Sequence, residues 1–312
     1  TISGEEIENL PGVNRKNVLG GRLTGLNVQQ SNGQPGLESS SIYMRGLRTL
    51  GGASRSPLIL IDGYVRENAE YLNAADIESI SLLKDAAGTA IYGLRGSNGV
   101  LLITTKRGKV QPMQVSLDAN FGMQAPTRLP KYLGSYEHAL LYNEARRNDG
   151  GSDVYDIEAL EAFRTGSDPF RYPNVDWMSE FLKDYSTQQN YNISVRGGTK
   201  QLSYFASAGY IDNTGLYNVD KSRNTYNTNH DFNVYMLRSN VDIQVTPKLS
   251  ASMDMSGRIQ SWNYPGNMSN PINVLYQLPP NQFPIFNEDG SVAGNSQYTN
   301  NPYGLLNLSG YS

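Results

Sequence analysis

The chain has 312 residues, no cysteine, two histidines and a formal net charge of −3. The missing cysteine excludes disulfide scaffolds, thiolate zinc sites, iron–sulfur clusters and thiol nucleophiles. The near-neutral charge lacks the basic footprint of a nucleic-acid binder, and no run of about 18 apolar residues is present to form a membrane-spanning helix.

Residues 1–110 read as a small mixed α/β domain. Thr1–Leu10 has neither the basic n-region nor the apolar h-region of a signal peptide. Ser3 and Glu6 have capping-box spacing and open a short helix that Pro11 and Gly12 end. A second helical stretch covers roughly residues 14–19, before Gly20-Gly21. Five β-type runs follow, at 26–29, 41–45, 58–62, 77–83 and 100–106. Leu58-Ile59-Leu60-Ile61 is apolar on both faces, as a buried strand requires, and stops at the turn pair Asp62-Gly63. Asp85 is placed to N-cap a short helix through Ile91, which Gly93 stops. Gly93, Gly96 and Gly99 do not have the GxGxxG spacing, and no Lys-Ser/Thr pair follows, so they point to turns and not to a phosphate cradle.

From residue 111 the pattern changes to strict alternation. Val115, Leu117, Ala119, Phe121 and Met123 alternate with polar residues and Gly122, and similar runs lie near 188–197, 201–211, 233–246 and 248–261. Phe205 alone interrupts the third run. A soluble β-sandwich also alternates, but its strands average five or six residues, whereas outer-membrane strands run to about ten. The connections alternate too. Gly197–Lys200 and Thr246–Lys248 are tight, while 125–187, 212–232 and 262–312 are long, as with short periplasmic turns and long extracellular loops. Five strands cannot close a barrel, for which about eight is the common minimum. An open edge in hydrocarbon leaves unsatisfied backbone groups, so the chain reads as the N-terminal piece of a larger barrel.

Ordered motifs add a resemblance. Leu19-Gly20-Gly21-Arg22-Leu23-Thr24-Gly25, Gly33-Gln34-Pro35-Gly36, Tyr43-Met44-Arg45-Gly46-Leu47, the run Pro57–Gly63, Ala75–Ile80, and residues 84–109 stand in the order and spacing of a plug domain. Tyr172–Trp177 adds a matching segment in the first long loop. The chain resembles the plug and first barrel strands of a SusC/RagA-type TonB-dependent outer-membrane transporter of Bacteroidota. The resemblance implies an α+β plug over residues 1–110. Antiparallel transmembrane strands over 111–312 follow, part of a barrel of about 22 strands. It implies import of large glycans, oligosaccharides or peptides across the cell outer membrane, with a SusD-like surface lipoprotein, outer-membrane lipids around the wall, and TonB acting through an N-terminal segment absent here. A TonB-dependent signalling receptor, or a barrel recruited into another outer-membrane complex, is the alternative. No enzyme activity, cofactor or nucleic-acid partner is expected.

The plug motifs nominate Arg45, Gly46, Asp62, Gly63, Lys84, Asp85, Tyr92, Gly93, Arg95, Gly96 and Gly99 for plug geometry and gating. Arg45 and Arg95 are expected to pair with carboxylates on the inner barrel wall, which is polar in a plugged barrel. Tyr64, Tyr71 and Trp177 are candidates to face ligand, because aromatic rings stack on sugars and on peptide side chains. No metal site is expected. His138 and His230 lie in loop sequence as structural or solvated residues, and Asn287–Ser291 lacks the full ligand series of a calcium loop.

Overall fold

In a computed structural model of the chain, residues 1–8, 19–33, 39–44, 56–67, 72–266, 271–295, 300–308 and 310 are described. The helix end at Pro11-Gly12, the helix expected over 14–19 except Leu19, most of the Gly33–Gly36 motif, and Arg45, Gly46 and Tyr71 lie outside the described residues.

The chain divides into two compact units. The first comprises residues 1–122, 187–213 and 232–261 and contains two sheets that matter for function. The N-terminal sheet has the order β1-β6-β7-β4-β5, from β1 (Ile2–Ser3), β4 (Leu58–Ile61), β5 (Tyr64–Arg66), β6 (Ile77–Leu83) and β7 (Val100–Thr105). β4 runs parallel to β7, and the other pairings are antiparallel. A two-stranded ribbon of β2 (Leu26–Asn32) and β3 (Ser39–Met44) accompanies it. Ser3 accepts the Glu6 N–H at 3.4 Å and donates its hydroxyl to the Glu6 carboxylate at 3.2 Å, so the serine half of the capping box opens the helix Gly4–Glu8, while Glu6 meets the hydroxyl and not the Ser3 N–H. The core is this domain's own: Ile7, Leu19, Ile42, Ile59, Ile77, Ile80, Leu101 and Ile103 pack together and are buried. Asp62 and Gly63 join β4 to β5 with φ of 50° and 87°, the doubly left-handed turn that closes a two-residue hairpin.

The second sheet has the order β12-β11-β10-β9-β8, each strand beside its sequence neighbour. β8 (Gln111–Gln124), β9 (Ser186–Gly198), β10 (Leu202–Asn213), β11 (Asp231–Thr246) and β12 (Leu249–Asn263) hold 14, 13, 12, 16 and 15 residues. Each exceeds the roughly 9–11 residues that a tilted strand needs to cross hydrocarbon. Alternation separates the faces. Val115, Leu117, Phe121, Ile193, Leu237, Ile243, Met253 and Ile259 are exposed on one face. Ser207, Asn192 and Asn240 are buried on the other. Phe205 also lies on that inner face, fully buried, so the break in alternation is an inward apolar residue and not a register slip. On the outer face Tyr210 pairs with Tyr191 on one side and Tyr235 on the other, and the Tyr210 and Tyr235 rings lie 4.8 Å apart. One register level thus carries an aromatic row across three strands, next to the long connections.

The second unit comprises residues 123–186, 214–231 and 262–312. It holds helices Ser135–Asn148, Ile157–Thr165, Trp177–Phe181, Pro271–Gln277 and Pro302–Asn307. Trp177, Phe181, Tyr217, Leu275, Phe283 and Leu306 form its main core. A smaller cluster links Tyr142, Tyr155, Phe163 and Tyr172 edge to face, at centroid separations of 6.0, 5.7 and 5.5 Å.

Candidate functional site

The strand directions bring three loops of the N-terminal sheet to one edge. Because β4 and β7 are parallel and β6 runs against them, the end of β4, the end of β7 and the start of β6 coincide. Two backbone bonds tie them: Asp62 N–H donates to Ile103 at 3.0 Å, and Lys106 N–H donates to Asp76 at 2.8 Å. Polar side chains on this edge meet the inner face of the long-stranded sheet.

Asp62 holds the first contact. Among the described residues it is the one non-glycine residue with positive φ, a conformation that aspartate tolerates better than most side chains. Its carboxylate accepts the Thr105 N–H at 2.9 Å and the Thr105 hydroxyl at 2.7 Å. It also accepts Arg238 Nη2, on β11, at 2.6 Å. The pair is buried, with 10% of the Asp62 side chain and 11% of the Arg238 side chain exposed. Arg238 also donates to Thr105 Oγ1 and, at 3.2 Å, to Asn240. Asn240 donates to Asp254 on β12, and Asp254 accepts Arg107 Nη2 at 2.7 Å, while Asp242 lies 3.6 Å from the same guanidinium. A continuous polar chain therefore leaves the N-terminal sheet at Asp62, runs along two strands of the other sheet, and returns at Arg107. Close charged pairs of this kind stand only with their remaining donors and acceptors satisfied.

Asp76 makes the second contact. It ends the 3₁₀ turn Ala74–Asp76, whose N-cap Asn73 accepts the Ala75 N–H at 3.1 Å. Ser207, on β10, donates to Asp76 Oδ2 at 2.9 Å, while Oδ1 has no hydrogen-bond partner among the described residues. Burial raises the Asp76 carboxyl above its ordinary range, against the opposing pull of the Ser207 bond and of Arg238 and Lys106. Asn73 supplies the third contact, donating to Asn190 on β9 at 3.5 Å. Gly108 then passes so close to β10 that an added Cβ would overlap the Tyr204 backbone.

The nominated residues fall out unevenly. Asp62 and Gly63 form the contact turn. Lys84 lies over Gly25, where an added Cβ would come 3.4 Å from its Nζ. Asp85 occupies the N-cap position of the helix Ala86–Thr89 but makes no side-chain capping bond there; its carbonyl accepts the Thr89 N–H and hydroxyl instead. Gly93, at φ 58°, breaks the following 3₁₀ segment Ala90–Gly96. Tyr92 is half-buried there, and Gly96 packs on Thr89 and Tyr92. Gly99 packs against Met44 and leads into β7. Arg95 is exposed and pairs with no carboxylate among the described residues. The Asp62–Arg238 pair has the opposite polarity, with the aspartate on the N-terminal domain and the arginine on the long strand, whereas Arg107 meets Asp254 and Asp242 in the expected sense. Tyr64 is 64% exposed. Trp177 is 3% exposed and its indole N–H donates to the Pro279 carbonyl at 3.1 Å, so it is a core residue and not a ligand-facing one. Arg238, Asp254, Ser207, Asn73, Thr105 and Arg107 were not anticipated. The available signal was a charged residue at an inward position in the middle of an amphipathic strand, which Arg238 and Asp254 both satisfy.

Comparisons with known proteins bear on the fold and the family. Residues 1–100 match the TonB-dependent Receptor Plug Domain family. The chain is 32% identical over 310 residues to TonB-dependent receptor P26 of Formosa agariphila, across 97% of this chain and 28% of that protein. It is 30% identical over 240 residues to TonB-dependent receptor SusC of Bacteroides thetaiotaomicron, across 71% of this chain and 21% of that protein. It also superposes on the RagAB peptide importer in its open-open state with a TM-score of 0.74 at 25% identity, covering 97% of this chain and 36% of that one. The chain is of the SusC/RagA type of TonB-dependent receptor. The N-terminal domain is the plug, and the five long strands are barrel wall. The chain spans under a third of the length of these two curated relatives. A siderophore receptor, PirA of Acinetobacter baumannii, shares the fold at a TM-score of 0.51 and 19% identity.

Proposed function

We propose that the chain supplies the plug and five wall strands of a TonB-dependent importer in the cell outer membrane. The cargo is a large nutrient, a glycan, oligosaccharide or peptide, handed over by a SusD-like surface lipoprotein. The plug–wall seam carries this reading. The plug keeps its apolar core to itself and meets the wall through hydrogen bonds and ion pairs. Such contacts exchange with water, each for a net of about 0.5–1.5 kcal/mol when neutral, so the plug can part from the wall without opening its own core. The exposed apolar face and the tyrosine row at one level of it suit lipid and its interface. The long connections would then form the extracellular side, and Asp62, Arg238, Asp76 and Arg107 the gating contacts. No motif for nucleotide use accompanies the plug glycines, so the energy for uptake against a gradient comes through TonB.

Uptake by the full-length receptor in cells with and without TonB tests this. Loss of uptake on TonB deletion is expected; uptake that continues at the same rate removes the importer reading.

A further inference from the structure

The β4–β5 hairpin carries two exposed polar side chains that the seam does not use. Tyr64 and Arg66 are two residues apart on one strand and so share a face. Together with Asp62, Arg238, Asn240 and Asp254 they line a pocket of about 190 Å³, to which Ser256 adds a hydroxyl. The charges around it are already committed, with one exception. Asp62 is bonded to Thr105 and Arg238, and Asp254 to Asn240 and Arg107. The Arg66 side chain makes no ion pair or hydrogen bond among the described residues. The uncommitted charge on the pocket wall is therefore a single guanidinium, flanked by the phenol of Tyr64.

We propose that this pocket binds a carboxylate of the imported ligand, with Arg66 as its cation and Tyr64 packed beside it; the proposal rests on the importer reading. A guanidinium presents parallel N–H donors that match the two carboxylate oxygens. The pocket is too small for a whole oligomer and holds one terminal acidic unit. Arg66 lies four residues after Asp62, on the hairpin whose turn binds Arg238. A ligand held at Arg66 is thus seated on the very element that fastens plug to wall. A uronic acid and a peptide C-terminus both present this carboxylate.

The test uses purified full-length receptor and ligand-observed NMR with four probes: glucuronic acid, its methyl ester, the dipeptide Ala-Ala and its C-terminal amide. At least one acid should bind about tenfold more tightly than its neutral partner, the factor given by one charge-assisted contact. Arg66→Gln should erase that difference, and Arg66→Lys should restore part of it. The pair that responds tells sugar from peptide. Equal binding of acid and neutral probes, or a preference that survives Arg66→Gln, overturns the proposal. Binding is read without TonB, so this failure leaves the importer reading in place, whereas TonB-independent uptake would remove that reading and leave the measured preference.

Discussion

Replacing Arg238 with glutamine removes the guanidinium that Asp62 faces at 2.6 Å. Each side chain is about nine-tenths covered, so water replaces little of the lost contact. Removing one partner of a buried pair costs about 3–5 kcal/mol. Asp62 keeps its two bonds to Thr105, which puts the expected loss at the lower end, about 3 kcal/mol. Since 1.4 kcal/mol is a factor of ten, this edge of the plug should open about a hundredfold more often. Hydrogen–deuterium exchange of the full-length receptor reads the effect directly, in peptides covering 58–66 and 100–107, with a β8 peptide as control. Asp62→Asn should give a related loss. The double variant Asp62→Asn with Arg238→Gln should recover part of it, because two amides pair without a stranded charge, giving a coupling of about 1–3 kcal/mol. Unchanged exchange in Arg238→Gln, or strictly additive single effects, would refute the claim that this pair fastens the seam.

Four further outcomes are expected. The native Asp76 carboxyl titrates above its unfolded value of 3.8, so its ionised form weakens the folded state at neutral pH. That cost fades as pH falls through the raised value and is gone below 3.8. Relative to Asp76→Asn, the wild type should therefore gain seam protection on acidification, and a relative loss would contradict the assignment. Gly108→Ala drives a Cβ into the Tyr204 backbone and should lower the folded yield. Lys109→Ala, which breaks only the exposed pair with Glu78, should change stability by about 0.5 kcal/mol or less in denaturant unfolding. Trp177→Ala empties a buried site and should cost about 3–5 kcal/mol, seen as faster proteolysis within 123–186 with the exchange of β9 and β10 unchanged.

The elements that could be read from sequence are those where local pattern and burial agree. Asp62-Gly63 after an apolar tetrapeptide specifies the hairpin, because few other residue pairs accept two positive φ values. The wall strands follow from alternation, because one face meets the plug and the other does not. The seam was hidden for the same reason. Arg238 shares the inward face of its strand with Asn240, Asp242 and Gln244 as one polar residue among several, and only the approach of the Asp62 turn, 176 positions earlier, distinguishes it. Arg95 looked the better partner because it sits in a plug motif, yet its side chain points to solvent. Trp177 looked like a ligand platform, but the long connections bury it in a core that no local pattern announces.

The central claim is that TonB draws the plug away from the wall along this seam. Ser207 is buried behind Asp76, and this chain holds no cysteine, so labelling of Ser207→Cys in the full-length receptor, above that of the unsubstituted receptor, reports on the seam. In cells growing on a digest of polysaccharide and protein, labelling of this cysteine by a membrane-impermeant maleimide should be fast with TonB and slow without it. Equal labelling rates in the two strains would contradict the account.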